Sequence, residues 1–313
     1  MAERCQYYAE PCARGDKAIR SRAKSRYASE RSAVAYAVYL ADMAVDNGMP
    51  KNVSITGARS ELGRVLASQR VPAGAVGAHV NVAGQHANTL LHDGHAWENY
   101  ARVALAGVRR ALRAAEAECA SFLVHASFAF VRSVEQGHRL AEPLGAAADV
   151  ILECERLALA GAVPACVVRL GYLYGPDSAD LRAYRTAFRL GRPYWCGPPK
   201  ALQYHLHQDD AAAALLAAAR AHHAGRVFYA TDGRPLPFRK LMDAFAHRVG
   251  RSTPLHLPLF AKPLARVIIR EEHMQQTALT MPPRAPSPRV PRWKPKFGDY
   301  REGFDQVIEA WGE

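Results

Sequence analysis

The feature that most constrains the fold is residues 53–63, which read Val-Ser-Ile-Thr-Gly-Ala-Arg-Ser-Glu-Leu-Gly. A β-branched run ends at Thr56, a glycine follows, and the apolar residues after it have helical spacing. The segment therefore predicts a strand, a tight turn and the start of a helix. A dinucleotide diphosphate needs glycine where the backbone amides approach it and where the helix packs on the strand, and Gly57 and Gly63 occupy those positions. Ser60 replaces the middle glycine of the G-x-x-G-x-x-G pattern, which weakens the signal.

Length and composition indicate a globular protein without a membrane span. The chain has 313 residues, 49% of them hydrophobic, which is enough for one large domain or two modest ones. It has no run of about 18 apolar residues and no apolar N-terminal stretch of the signal-peptide type, so we expect a cytoplasmic protein. The six cysteines form no C-x-x-C pair and no zinc-ligand spacing, so we expect free thiols and no metal site.

The net charge of +12 is spread over an arginine-rich chain, which does not favour nucleic acid as the partner. Residues 1–28 are the most basic stretch and are interpreted as a solvated, flexible tail. A targeting or RNA-binding arm is the alternative, although interspersed acidic residues count against a transit peptide. Residues 29–48 follow as an N-terminal extension helix, Ser29–Asn47, which ends before Gly48.

The rest of the chain alternates between strand and helix patterns, which predicts an α/β fold with a mostly parallel, Rossmann-like sheet. The predicted strands are Val53–Ile55, Ala78–Ala83, Ser121–Ala129, Ala165–Leu170 and Arg226–Ala230, and the predicted helices include Ala101–Cys119, Gly145–Ala160, Ala211–Ala221 and Phe238–Val249. The helix after Gly63 can run only to about Gln69, because turn residues follow it. Too few residues then remain before the next strand for another strand and crossover helix, so the sheet is expected to be shortened after its first βα unit.

A series of short motifs, in this order, resembles the extended short-chain dehydrogenase/reductase family, the NAD-dependent epimerase/dehydratase group. The glycine turn is followed by the strand end Val80–Gly84 and then by Ala104–Val108, which stands where that family has N-V-x-G-T. The later matches are His125–Ser127 at the serine-rich strand end, Arg169–Pro176 for R-P-x-x-V-Y-G-P, His207–Ala211 for H-V-D-D-V, and the C-terminal region Trp293–Gly303. The resemblance covers about residues 51–310. It implies a dinucleotide-binding domain over residues 49–180 and a substrate-side region with returning Rossmann elements over 181–313.

The departures from this family concern its chemistry. The resemblance implies a tyrosine, with a lysine four residues later, that exchanges a proton while hydride moves to or from the nicotinamide. The matching positions hold Leu144 and Ala148, neither of which can titrate. Ser127 remains at the position of the third catalytic group, but a serine alone can only orient a carbonyl.

The second departure concerns the adenosine end of the cofactor. The family usually binds the ribose hydroxyls with an acidic residue at the end of the second strand, and no Asp or Glu occurs between Glu61 and Asp93. Two interpretations remain. Arg59 and Arg70 meet a 2′-phosphate, which favours NADP over NAD, or the adenosine half of the pocket, and with it cofactor binding, has been lost.

Candidate site residues follow from the motifs. The catalytic candidates are Ser127, Tyr172 and His125. Tyr174 and His207 are further candidates for an acid or base. The alternative is that the histidines are structural, with their hydrogen bonds satisfied inside the protein. The cofactor candidates are Thr56, Gly57, Arg59, Ser60, Gly63 and Ala83. A metal at His92 and His95 is disfavoured, since no other ligand stands at a recognised spacing.

Three hypotheses of function remain at this point. In the first, the protein is a pseudoenzyme that binds a small molecule and acts in binding, assembly or regulation, with a protein partner or as a homodimer. In the second, it is a non-redox isomerase or cyclase with a histidine or tyrosine base. In the third, it is an oxidoreductase or epimerase on a carbonyl or nucleotide-sugar-like compound.

Overall fold

The computed structural model describes residues 53–84, 96–140, 144–261, 263 and 286–312. Its centre is a five-stranded sheet of β1 (Ser54–Thr56), β2 (Ala78–Asn81), β3 (Phe122–Phe128), β4 (Ala165–Leu170) and β8 (Val227–Ala230). The strands are all parallel and lie in the order β1-β2-β3-β4-β8. Every residue of β2 and β4 is buried, as expected for strands covered on both faces. The predicted Rossmann-like α/β class is confirmed.

Two layers of helices cover the sheet. On one face, α1 (Glu61–Ser68) packs against α6 (Gln208–Ala221), and on the other α2 (Ala96–Ala117) packs against α4 (Leu144–Leu159). The first layer and the sheet form the largest hydrophobic core, which holds Leu62, Leu66, Val80, Leu215 and Phe228. A second core joins α2 and α4 through Ala104, Val108, Ala147, Ala148 and Ile151. The short helix α3 (Val131–Glu135) lies after β3.

The expected shortening of the sheet is confirmed by the connection between β1 and β2. Residues 57–77 are fully described and contain only α1 and a 3-10 turn, Ala73–Ala75, before β2 begins. β2 then pairs directly with β1, with Ile55 opposite Val80. Among the described strands β1 is therefore an edge strand: β2 pairs with one side of it, and no described strand pairs with the other side.

Residues after β4 add a smaller unit beside the carboxyl ends of the sheet strands. It contains β5 (Tyr172–Tyr174) paired in parallel with β7 (His205–His207), and β6 (Leu202–Gln203) antiparallel to β9 (Leu236–Pro237). Its helices are α5 (Ala179–Arg189), α7 (Phe238–Arg248) and α8 (Tyr300–Ala310), with a 3-10 turn at Leu259–Ala261. The C-terminal segment is tied to α6 by Asp210, whose carboxylate accepts the amides of Lys296 and Phe297 at 2.6 and 2.9 Å.

Some predictions fall outside the described residues or need correction. The tail, the extension helix Ser29–Asn47 and the pair His92/His95 lie outside them. Cys154, Cys166 and Cys196 are free as expected, but Cys119 is disulfide-bonded, so the expectation of free thiols was wrong for that residue. None of the helices in the described ranges is long and apolar enough to cross a membrane.

Candidate cofactor and ligand site

The β1 turn has the glycine geometry that the sequence predicts. Gly57 has φ of +93°, and a Cβ there would lie 2.7 Å from the backbone nitrogen of Ala83. A Cβ on Gly63 would lie 2.1 Å from the carbonyl oxygen of Gly57. Neither position accepts a side chain, because the turn approaches both the end of β2 and the start of α1. This part of the chain fits a dinucleotide diphosphate.

The substituted glycine position has become a helix cap. Ser60 is buried, and its Oγ accepts the amide of Gly63 at 2.9 Å, which satisfies one of the free amides at the start of α1. Thr56 faces the interior, where its Oγ1 lies 2.8 Å from Nε2 of His79. Only the backbone of Thr56 can therefore contribute to a ligand site at this turn.

The adenosine end lacks the structure that the family resemblance implies. No strand lies between β1 and β2, so no second-strand end exists where an acidic residue could meet the ribose. Arg59 is exposed in the turn, whereas Arg70 is exposed beyond the other end of α1. A helix of eight residues is about 12 Å long, so Arg59 and Arg70 lie at opposite ends of α1. Of the two arginines expected to meet a 2′-phosphate, only Arg59 lies at the turn.

The end of β2 is held by close backbone contacts with α2. Gly84 has φ of +87°, and a Cβ on Gly107 would lie 2.6 Å from the Cβ of Ala83. Ala83 therefore packs tightly between the glycine turn and α2. The amide of Ala83 also donates to Oδ1 of Asn81 at 3.1 Å, which fixes the amide orientation of that side chain.

A small cavity of about 10 Å³, the size of one water, lies at the carboxyl ends of β2 and β3. Its lining includes His125, Ser127, Gly84 and Ala104, so the structure brings together two of the three predicted catalytic residues. Nδ1 of His125 lies 2.9 Å from Nδ2 of Asn81. Since that amide nitrogen donates, Nε2 of His125 carries the ring proton. Burial lowers the pKa of His125 to about 4, so the imidazole is neutral at neutral pH.

Ser127 is committed to an ion-pair network. Its Oγ donates to Oε1 of Glu155 at 2.5 Å, in the range of a charge-assisted bond. Glu155 pairs in turn with Arg169, which is 2% exposed. The five donors of Arg169 all find acceptors on Glu155, Glu135 and the hydroxyl of Tyr229, at 2.6 to 2.8 Å. Ser127 can therefore accept a hydrogen bond from a ligand, but its own proton is held by Glu155.

Tyr172, the third catalytic candidate, lies on β5 and does not line this cavity. Its hydroxyl donates to Oδ2 of Asp180 at 3.1 Å. Burial and the charge of Asp180 raise its pKa well above the usual range, which opposes formation of a phenolate. Tyr174 lies beside it on the same strand and is buried, with a pKa that burial also raises.

The two positions that the resemblance matches to the family's tyrosine and lysine lie on α4. Ala148 has no exposed surface and belongs to the core that joins α4 to α2. Leu144 is the first residue of the same helix. The position matched to the family's lysine is therefore a closed helix–helix contact.

The two alternating histidines share β7, as the sequence predicts, but differ in their surroundings. His207 caps α6 through Nδ1, which accepts the amide of Asp209, and its Nε2 lies 3.0 Å from Oε1 of Gln306. His205 is fully buried and packs on the edge of the Tyr172 ring. Neither of its ring nitrogens has a hydrogen-bond partner in the described ranges. His207 is thus a structural helix cap, whereas the ring of His205 has no hydrogen bond to any described residue.

The carboxylates that organise this region belong to no motif that the sequence predicts. Glu155 follows Ala148 and Ile151 on the apolar stripe of α4, and a charged residue on such a stripe is a signal of a buried partner. Arg169, inside an apolar strand, is the matching signal. Glu61, at the first position of α1, reaches across to α5 and α6. No spacing rule connects residues so distant along the chain. The described residues contain no group that could hold a metal.

Comparison with known proteins gives one related sequence and many related folds. No protein-family model matches the chain. A Streptomyces protein described as a 3-diazoavenalumate denitrifying reductase is 31% identical over 189 residues, which is 56% of this chain. The aligned region spans 62% of that relative's length, so just over a third of the relative has no counterpart in the match.

The similar solved structures include proteins named as epimerases and proteins with NADPH or NAD bound. The human epimerase family protein SDR39U1 with NADPH has a TM-score of 0.62 at 15% identity, over 82% of this chain and 99% of that one. RMD from Pseudomonas aeruginosa with NADPH has a TM-score of 0.58 at 17% identity, over 84% and 99%. WbmH from Bordetella bronchiseptica with NAD+ has a TM-score of 0.55 at 16% identity, over 84% and 99%. The predicted resemblance to the epimerase/dehydratase group is confirmed at the level of the fold.

Proposed function

We propose that this chain is an NAD(P)-binding-type protein of the epimerase/dehydratase fold that has lost the Tyr/Lys proton chemistry and acts through ligand binding, in assembly or regulation. The observation that carries the proposal is the closed position of Ala148 in the α2–α4 core. A lysine cannot be placed there without burying an unpaired charge. The neighbouring Leu144 supplies no acid or base.

The residues that would hold a cofactor are those of the β1 turn. The backbone turn at Gly57, Ser60 and Gly63 would leave room for the diphosphate beside it, and Arg59 would meet an additional phosphate, which favours NADP. A bound nicotinamide supplies a hydride. The chain's own groups near the cavity are a neutral imidazole that can donate at Nε2 and a serine that can only accept, so neither replaces a tyrosinate.

The test combines binding with chemistry. We expect NADPH to bind to the full-length protein in a fluorescence titration, and we expect no NADPH oxidation with a panel of aldehydes, ketones and nucleotide sugars. The double variant Leu144→Tyr/Ala148→Lys should stay inactive and lose stability, because the new ammonium group would be buried. Asp149→Lys, at an exposed neighbouring position on α4, is the matched control and should be nearly neutral. Turnover by the wild type, or by the double variant, would contradict the proposal.

A second function is favoured by the related Streptomyces reductase, whose description names a diazo compound. An arenediazonium already carries positive charge, so its reduction to the arene and N2 needs one hydride and no proton donor. Loss of the Tyr/Lys pair does not prevent such a reaction. NADPH oxidation matched one to one by N2 release from an arenediazonium salt would support this function, and decay at the rate seen without protein would exclude it.

A further inference from the structure

The first residue of α1 carries a carboxylate at the place where a diphosphate would bind. Glu61 follows the capping Ser60, and its Oε1 accepts the amide of Ala179, the first residue of α5, at 3.2 Å. Its Oε2 lies 3.5 Å from Nε2 of Gln208, the first residue of α6. The starts of three helices therefore meet at one carboxylate. Each helix start carries a partial positive charge, which favours an anion at this point.

The contact with α6 is closely fitted. Gln208 is 1% exposed, and its Oε1 has no hydrogen-bond partner among the described residues. A Cβ added to Gly175 would lie 2.4 Å from that Oε1, so the absence of a side chain at position 175 leaves the room that Gln208 needs. Glu61 is the one described acceptor for the amide group of Gln208, and it links the glycine turn to the smaller unit.

We propose that Glu61 determines dinucleotide affinity by occupying the anion position at the start of α1, so that a diphosphate binds only against its charge or after displacing it from α5 and α6. This inference rests on the proposed function, because it assumes that the ligand binds at the β1 turn. A second anion at the same helix start is disfavoured by like-charge repulsion from Glu61, and the amide at the start of α5 already donates to the Glu61 carboxylate. In this proposal Glu61 lowers the affinity of the β1 turn for ligands that contain a diphosphate.

The experiment compares the full-length wild type with Glu61→Gln and Glu302→Gln. The Glu61→Gln substitution keeps a side-chain oxygen that can accept the amide of Ala179 but removes the charge. Glu302 lies in the first turn of α8, is exposed, and has no part in the β1 turn, so it controls for loss of an acidic residue at a helix start. Binding of NADPH is followed by fluorescence and binding of inorganic pyrophosphate by calorimetry, and melting of each free protein checks that it is folded.

We expect Glu61→Gln to bind NADPH and pyrophosphate at least tenfold more tightly than the wild type, with Glu302→Gln unchanged. Added salt should narrow this difference, since it screens the charge. Measurable but equal affinities in the wild type and Glu61→Gln would overturn the inference and leave the proposed function intact. Absence of binding in all three folded proteins at millimolar ligand would overturn both. If Glu61→Gln unfolds, Glu61→Ala with Gln208→Leu is measured in its place and carries the same expectation.

Discussion

Among single residues, Arg59 is the one that we expect to decide which dinucleotide the β1 turn favours. It is exposed in the turn and has no ion pair or hydrogen bond of its side chain to the rest of the described chain. A charge-assisted contact with a 2′-phosphate contributes about 1.5–3 kcal/mol, which corresponds to tenfold or more in affinity. We expect the wild type to prefer NADPH over NADH by at least that factor, and Arg59→Ala to abolish the preference in parallel fluorescence titrations. Arg70→Ala, at the far end of α1, should leave the preference for NADPH unchanged. Equal affinities of the wild type for NADPH and NADH would contradict the role of Arg59.

His205 is a buried imidazole whose two nitrogens are unpartnered in the described ranges. An unsatisfied buried polar group costs roughly 1–3 kcal/mol, so His205→Leu should stabilise the protein and raise its Tm at pH 7. Burial lowers the pKa of His205 to about 3, against an ordinary value of 6.5. Between pH 3 and pH 6.5 this imidazole is therefore protonated in the unfolded chain and neutral in the folded chain.

The pH dependence follows from that difference in proton binding. Above pH 6.5 His205 is neutral in both states, and its titration costs the wild type no stability. As the pH falls from 6.5 towards 3, the wild type loses stability because only the unfolded chain protonates this residue. The stability advantage of His205→Leu should therefore widen from pH 7 to pH 4.5. Asp232, whose pKa burial raises to about 7, contributes the opposite slope, but it is present in both proteins and cancels. Thermal melts across this range check the expectation, with exposed His223→Asn as the control. A constant gap between wild type and variant would show that His205 acquires a partner.

On the scale of elements, the Glu155–Arg169 pair joins α4 to β4. Removing one partner of a buried, hydrogen-bonded ion pair leaves an uncompensated charge and costs about 3–5 kcal/mol. We expect Glu155→Ala to lower the Tm by roughly 10 °C. Glu153→Ala, two residues earlier on the same helix, removes only an exposed pair with Arg156 and should change the Tm by a degree or two. Similar Tm losses in the two variants would show that the buried network contributes no more than a surface pair.

Elements with a strong local pattern could be predicted from the sequence. Strand β4 has the predicted bounds, because Ala165–Leu170 is an apolar run closed by glycine and proline. Helices α1 and α4 differ from their predicted ends by one or two residues. The short strands β5, β6 and β9 were not predicted, since two or three residues carry too little periodicity and their pairing is decided by tertiary contacts.

The candidate site could be predicted only where the backbone determines it. The glycines at 57 and 63 follow from the close approach that any turn of this kind requires. The partners of Ser127 and Glu61 come from 28 and 118 residues away along the chain, so no local pattern contains them. The sequence therefore locates the turn and the strand ends, but not which side chains already have their hydrogen bonds satisfied.

On the scale of the whole molecule, the described sheet ends at β1. An unpaired edge strand promotes aggregation unless another segment covers it. The N-terminal extension predicted at Ser29–Asn47 has an apolar side suited to that role, with Tyr36 and Leu40 expected to face inward. We expect removal of residues 1–47 to give insoluble or strongly destabilised protein and removal of residues 1–26 to be nearly neutral, as measured by soluble yield and Tm. A soluble 48–313 chain with unchanged Tm would favour a mobile targeting or partner-binding arm.

The direct connection from β1 to β2 also has a kinetic consequence. Ser54 pairs with His79 across only 25 residues, whereas Ala78 pairs with Phe122 across 44 and Val167 with Val227 across 60. The chain entropy lost on closing a loop grows with its length, by about 0.6 kcal/mol for each doubling. The β1–α1–β2 unit therefore has the cheapest parallel pairing of the described sheet, and we expect it to be formed in the folding transition state. Ile55→Ala should mainly slow refolding in stopped-flow measurements, and Phe228→Leu should mainly speed unfolding. If Phe228→Leu instead slows refolding and Ile55→Ala speeds unfolding, the β4–β8 pair, and not the β1–β2 pair, forms first.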